Sequence, residues 1–307
     1  HEHIAVVNSL HNLGNCLHAI GELEESVSCL EEALKLTSMI LGDDCEEVAD
    51  SYHCLAVVYQ TQTDFDKAAS LYESALKIRR DKFGSNHLTV ASTLLNLGVV
   101  LQAQGKVETA LTFLKEAMVT RAKMSNYDSD TTVAMECIGK IYRDQGDFEK
   151  SLNSFHKCLR QGGNRVLREI GMVHELRGEQ SKAKECYTQA IYTVEQYLGI
   201  HSAHDAASEK EENISDEMQP QLEENIENIL REKGENYNEL QFADTVAYYG
   251  SLLGKVGRDS EAMACFDYAL RIFEEKLASN HLSIGDALHE KGIVLMAQGN
   301  FDEALEA

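Results

Sequence analysis

Five marks recur in fixed register along this chain, and their recurrence leaves room for little besides stacked helix pairs. Small residues fall at Gly14, Ala56, Gly98, Gly139, Gly171, Gly250 and Gly292, at intervals of 42, 42, 41, 32, 79 and 42. Seven residues after each stands Gly21, Thr63, Gly105, Gly146, Gly178, Gly257 or Gly299, so only Thr63 departs from glycine. Five further on come Ser26, Ala68, Ala110, Ser151, Ala183, Ala262 and Ala304. Then follow Leu30, Tyr72, Leu114, Phe155, Tyr187 and Phe266, and three beyond those Ala33, Ala75, Ala117, Cys158, Ala190 and Ala269. A period in this range is the signature of a repeat architecture.

Each mark has a physical task. The first small residue lets two antiparallel helices approach closely. The glycine seven residues later takes the left-handed conformation that ends a helix and opens a turn. The remaining marks fall at i, i+4 and i+7, the buried stripe of a second helix. Leu10, Leu13 and Leu17 are expected to form the matching face of the first helix, as are Tyr52, Leu55 and Tyr59 in the second repeat and Leu94, Leu97 and Leu101 in the third. The expected fold is all-α: a right-handed α-α superhelix of seven helix pairs, the last truncated. A single proline, Pro220, agrees with long helices.

These residues resemble the tetratricopeptide repeat over 3–195 and 242–307. The 42-residue spacing is similar to that of kinesin light chains, as are the loops Leu41-Gly42-Asp43-Asp44-Cys45, Phe83-Gly84-Ser85-Asn86-His87 and Leu277-Ala278-Ser279-Asn280-His281. Leu88 and Leu282 stand where that family often has proline after the loop histidine, and its Asn-Asn-Leu-Ala run is reduced to His11-Asn12-Leu13-Gly14 and Leu95-Asn96-Leu97-Gly98. The resemblance implies a protein-binding solenoid whose inner wall is lined by the first helix of each repeat.

The register breaks between Ala190 and Val246, where about 37 residues exceed the regular spacing. The chain is accordingly divided into an array of repeats 1–5 over 1–200, an acidic insertion over 201–240, and repeats 6–7 over 241–307. His201 to Glu217 is polar and charged, with a composition that need not form a core. Leu222, Ile226, Ile229 and Leu230 form one stripe of a helix expected at 219–233, with Pro220 in its first turn and Gly234 at its end. The segment reads either as a spacer packed on the array or as an autoinhibitory element lying in the binding groove.

Recognition is expected on the face of the first helices that the core leaves over. In repeats one to three that face offers Asn8, His11, Asn12, Asn15, Asp50, His53, Gln60, Ser92, Asn96 and Gln102. Asn and Gln both donate and accept, so a ladder of them suits an extended peptide backbone. The alternative is that these are simply solvated polar residues. In repeats four and five the face carries Lys140, Arg143, Arg165 and Arg168, which read either as an anchor for an acidic group of a partner or as local ion pairs with Glu136, Asp144 and Glu169.

The formal charge of -23 argues against nucleic acid and anionic membranes as partners. Eight dispersed cysteines without a C-x-x-C pair read as reduced thiols in a cytoplasmic protein. Cys29, Cys186 and Cys265 share one slot of the second helix and read as packing residues. No apolar stretch has the length of a membrane span, and no signal peptide opens the chain, which starts and stops within helical patterns like a piece of a longer protein. No phosphate-binding glycine loop and no H-E-x-x-H occurs. No catalytic role, cofactor or metal is therefore expected. The chain reads as a scaffold or adaptor binding a partner peptide or helix, with a structural subunit of an assembly or a sensor region of a signalling protein as alternatives.

Overall fold

The computed structural model describes residues 2–123, 129–163, 165–198, 239–279 and 281–306. Among them every regular element is an α-helix: α1 (Glu2–Ile20), α2 (Leu23–Leu41), α3 (Glu46–Thr61), α4 (Phe65–Phe83), α5 (Leu88–Ala103), α6 (Val107–Lys123), α7 (Ser129–Asp144), α8 (Phe148–Arg160), α9 (Val166–Leu176), α10 (Gln180–Leu198), α11 (Glu239–Val256), α12 (Asp259–Lys276), α13 (Leu282–Gln298) and α14 (Phe301–Glu306). Odd-numbered helices are the first helix, A, of each repeat, and even-numbered ones the second, B. Of the expected insertion at 201–240, only Glu239 and Leu240 are described, and they open α11. The helix expected at 219–233 lies outside the described residues.

The chain forms two compact units, His1–Val166 and Leu167–Ala307. In the first, each helix from α1 to α8 packs on the next, and α1 also touches α3, as α5 touches α7. In the second, α10 to α14 pack in sequence and α11 also meets α13. This is the order of a helical solenoid, in which each pair buries a face only against its neighbours.

The first-mark glycines Gly14, Gly98, Gly139, Gly171 and Gly250 sit at the crossings of their helix pairs. A Cβ on Gly98 would lie 2.7 Å from Leu114 Cγ, on Gly139 2.5 Å from Phe155 Cε1, and on Gly171 2.4 Å from Tyr187 Cε1. The large residue of the fourth mark thus occupies the space of the missing side chain. The third mark contributes where it is serine: Ser26 donates to the Gly14 carbonyl at 2.7 Å and Ser151 to that of Gly139 at 2.8 Å. The second marks all have positive φ, including Thr63 at 61°, the one such residue that is not glycine among those described.

One expected core residue is placed differently. Leu55 and Leu97 are 3% and 0% exposed, whereas Leu13 in the same slot is 49% exposed. Leu55 is covered by Leu30 and its neighbours on the preceding helix B. No described helix stands in that position against α1.

The loop histidines act as helix caps. His87 Nδ1 accepts the Thr89 backbone N–H at 3.3 Å, and His281 Nδ1 that of Ser283 at 3.2 Å. The His87 ring also stacks on Phe83, with centroids 4.4 Å apart. Asp64 and Asp147 cap α4 and α8 through the N–H groups of Lys67 and Lys150.

Candidate functional site

The A-helix face of repeats one to three divides into an exposed row and a ladder of contacts between helices. Asn8, Asn12 and Asn15 are exposed along α1, at the i, i+4 and i+7 spacing of one helix face. Asp50 is exposed as well; the other expected residues are half-buried, and most spend their polar groups on a neighbouring helix. Ser51 donates its hydroxyl to the Glu47 carbonyl at 2.9 Å, so His11 Nε2–H donates to Ser51 Oγ at 2.7 Å. His18 Nε2 lies 2.8 Å from Thr61 Oγ1. Gln60 Oε1 accepts the Tyr72 hydroxyl at 3.0 Å. The Asn96 amide lies 3.3 Å from His53 Nε2. Gln102 is half-buried on α5.

Two arginines of helix B organise this ladder, and neither was expected from the sequence. Arg79 on α4 is 6% exposed. Its NH2 donates to Asp50 Oδ1 at 2.6 Å, while NH1 reaches the Thr93 hydroxyl, the Thr89 carbonyl at 3.3 Å and His53 Nδ1 at 3.2 Å. Arg121 on α6, 5% exposed, donates to Ser92 Oγ at 2.7 Å and pairs with Asp130 on α7. Arg79 and Arg121 stand 42 residues apart, as do His11 and His53, Ser51 and Thr93, and Asp50 and Ser92. That spacing was the available signal, hidden because a late helix-B arginine reads as solvated when its partners lie on other helices.

Burial sets the electrostatics. It lowers the His53 imidazole to about 4, aided by the Arg79 charge and opposed by Asp50. Burial also lowers His11, against the pull of Asp50. Both rings are thereby held in the neutral form, which lets them accept as well as donate.

Next to the exposed asparagines, α1, α2 and α3 enclose a cleft of about 190 Å³ lined by Ile4, Val7, Asn8, His11, Thr37, Ile40, Leu41, Glu47 and Asp50.

The four expected cations do not act alike. Lys140 pairs with Glu136 at 2.6 Å, and Arg143 with its neighbour Asp144 at 2.9 Å. Arg165 is exposed just before α9. Arg168, in the second unit, pairs with Glu290 on α13 rather than with Glu169, and Glu290 also accepts from Ser251 at 2.9 Å. Arg165 belongs to the first unit and Arg168 to the second.

The cysteines are unpaired. Burial raises the Cys137 and Cys158 thiols to about 11, and raises Cys186 and Cys265 as well, which keeps these thiols protonated at neutral pH. No group of three His, Cys, Asp or Glu side chains that could hold a metal stands together among the described residues. No helix among them is long and apolar enough to cross a membrane.

Family models of the tetratricopeptide repeat match residues 5–81, 47–119 and 138–161. No curated protein sequence matches the chain. Among solved structures, BtubC (BKLC) from P. vanneervenii is similar with a TM-score of 0.58 at 22% identity, over 64% of this chain and 83% of that one. The nearly identical TPR-like repeats assigned to a kinesin light chain of Podosopora anserina are similar with a TM-score of 0.56 at 19% identity, over 64% and 97%. At these identities the likeness speaks to the fold.

Proposed function

Because the chain is a tetratricopeptide-repeat protein whose repeats resemble those of kinesin light chains, we propose that it is a protein-binding scaffold that takes a partner peptide along the A-helix face of repeats one to three. The observation that carries this reading is the pairing of an exposed asparagine row on α1 with a fixed polar ladder behind it. Asn8, Asn12 and Asn15 face solvent, while His11–Ser51, His18–Thr61 and His53–Asn96 tie α1, α3 and α5 together. Groups held in place lose little freedom on binding, so more of the contact energy goes to affinity. Asparagine is a poor helix former, and its recurrence along α1 costs helix stability that backbone recognition offsets.

The reading assigns no reaction to the protein and sets it in the cytoplasm, where its cysteines stay reduced. An acidic group of a partner would find Arg165, the exposed member of the four cations.

The test is quantitative partner capture by the wild type, by Asn12→Ala/Asn15→Ala, and by Glu32→Ala on the B helix α2. The reading expects partners lost from the double variant and kept by Glu32→Ala, with both variants melting like the wild type. Equal capture by all three would overturn it.

A further inference from the structure

Residues 37, 79 and 121 occupy one slot of helix B, 42 positions apart, and hold Thr, Arg and Arg. In repeats two and three the arginine bridges successive A helices and is buried there. Arg79 is received by Asp50, His53, the Thr93 hydroxyl and the Thr89 carbonyl. One repeat earlier, the same positions are Asn8, His11, the Ser51 hydroxyl and the Glu47 carbonyl. The receiving geometry is kept: Ser51 donates to the Glu47 carbonyl at 2.9 Å just as Thr93 donates to that of Thr89 at 2.7 Å. Thr37, however, is short, and its hydroxyl turns back to the Ala33 carbonyl at 2.7 Å. The space that arginine fills in the next two repeats is here the open cleft of about 190 Å³.

We propose that this cleft receives an arginine side chain from a partner protein, so that the guanidinium Arg79 and Arg121 provide from within is supplied from outside in the first repeat. The inference rests on the reading of the A-helix face as a peptide site and names the chemistry recognised at one end of it. Charge complementarity favours this occupant. Glu47 and Asp50 both line the cleft; Glu47 is exposed, and the Asp50 side chain is half exposed although one oxygen takes Arg79. His11, held neutral by burial, adds no competing cation. Arginine suits the site better than lysine because its planar fork reaches several acceptors at once, whereas an ammonium is a compact, strongly hydrated charge. Ile4, Ile40 and Leu41, each 40–45% exposed on the rim, call for aliphatic neighbours beside the arginine.

The test titrates the 307-residue chain, labelled with nitrogen-15, with acetyl-Leu-Arg-Leu-amide, and with the same peptide carrying Lys or Gln at the centre. The expected result is shifts at the amides of Asn8, His11, Glu47 and Asp50 for the arginine peptide, at least tenfold weaker binding for lysine, and none for glutamine. Thr37→Arg should fill the cleft from within, raise the melting temperature and weaken the arginine peptide at least tenfold, while Thr37→Val keeps it. If Thr37→Arg does not fold, Glu47→Gln on the exposed rim replaces it, with a severalfold loss expected. Equal binding of the arginine and glutamine peptides, no shifts at all, or undiminished binding to the folded variant would overturn the proposal. Partners that depend on Asn12 and Asn15 yet survive Thr37→Arg would remove the arginine slot and leave the wider face reading standing.

Discussion

Arg79 on α4 reaches across to α3 and donates to the Asp50 carboxylate at 2.6 Å, while its other nitrogen holds the Thr93 hydroxyl of α5. One side chain thereby joins two repeats. Replacing it by methionine strips His53 and Thr93 of a donor and leaves Asp50 to water. Since Asp50 is half exposed, the expected loss is roughly 2–3 kcal/mol, below that of breaking a fully buried pair. Arg79→Lys should recover only part of it, because an ammonium cannot reach all four acceptors. Urea unfolding of the three proteins measures this.

Gly98 should tolerate no side chain without a shift of Leu114, whose Cγ would stand 2.7 Å from the new Cβ. Gly98→Leu is expected to cost on the order of 1–3 kcal/mol by overpacking. Trimming the neighbour as well, in Gly98→Ala/Leu114→Ala, should cost less than the sum of the single changes. Strict additivity in thermal melts would mean that the two positions do not meet.

Thr63 holds a φ of 61° in the slot where every other repeat has glycine. A β-branched residue is strained there. Thr63→Gly should raise stability by roughly 0.5–1 kcal/mol, since the relief of strain exceeds the added chain entropy of glycine. A lower melting temperature would contradict the strain.

His53 sets a pH dependence. Its folded value of about 4 lies below the ordinary 6.5, so the unfolded chain binds the extra proton between these limits. Its contribution is full above pH 6.5, falls as the pH drops through that window, and levels off below 4. The loss is up to roughly 3 kcal/mol. His53→Gln should flatten the stability profile over that window, as denaturation at fixed pH steps will show.

What the sequence disclosed was whatever repeats locally. Gly14, Gly98, Gly139 and Gly171 face the large residues that share their register, because a helix pair closes within some thirty residues. Leu13 departs from Leu55 because burial in a stack depends on the neighbour as well as on the pattern. Arg168 finds Glu290, which is 122 residues away, and helix spacing carries no trace of such a partner. The polar ladder lies between these cases. Its residues are legible from one face of helix A, but their partners on adjoining helices are not: His53, Gln60 and Ser92 bond to Asn96, Tyr72 and Arg121 across the stack.

The central claim is that partners lie along the A helices. Hydrogen–deuterium exchange of the chain with and without a captured partner reads this directly. Protection concentrated at the exposed face of α1, α3 and α5 is the expected result. Protection confined to α2, α4 and α6, with the A helices unchanged, would contradict it.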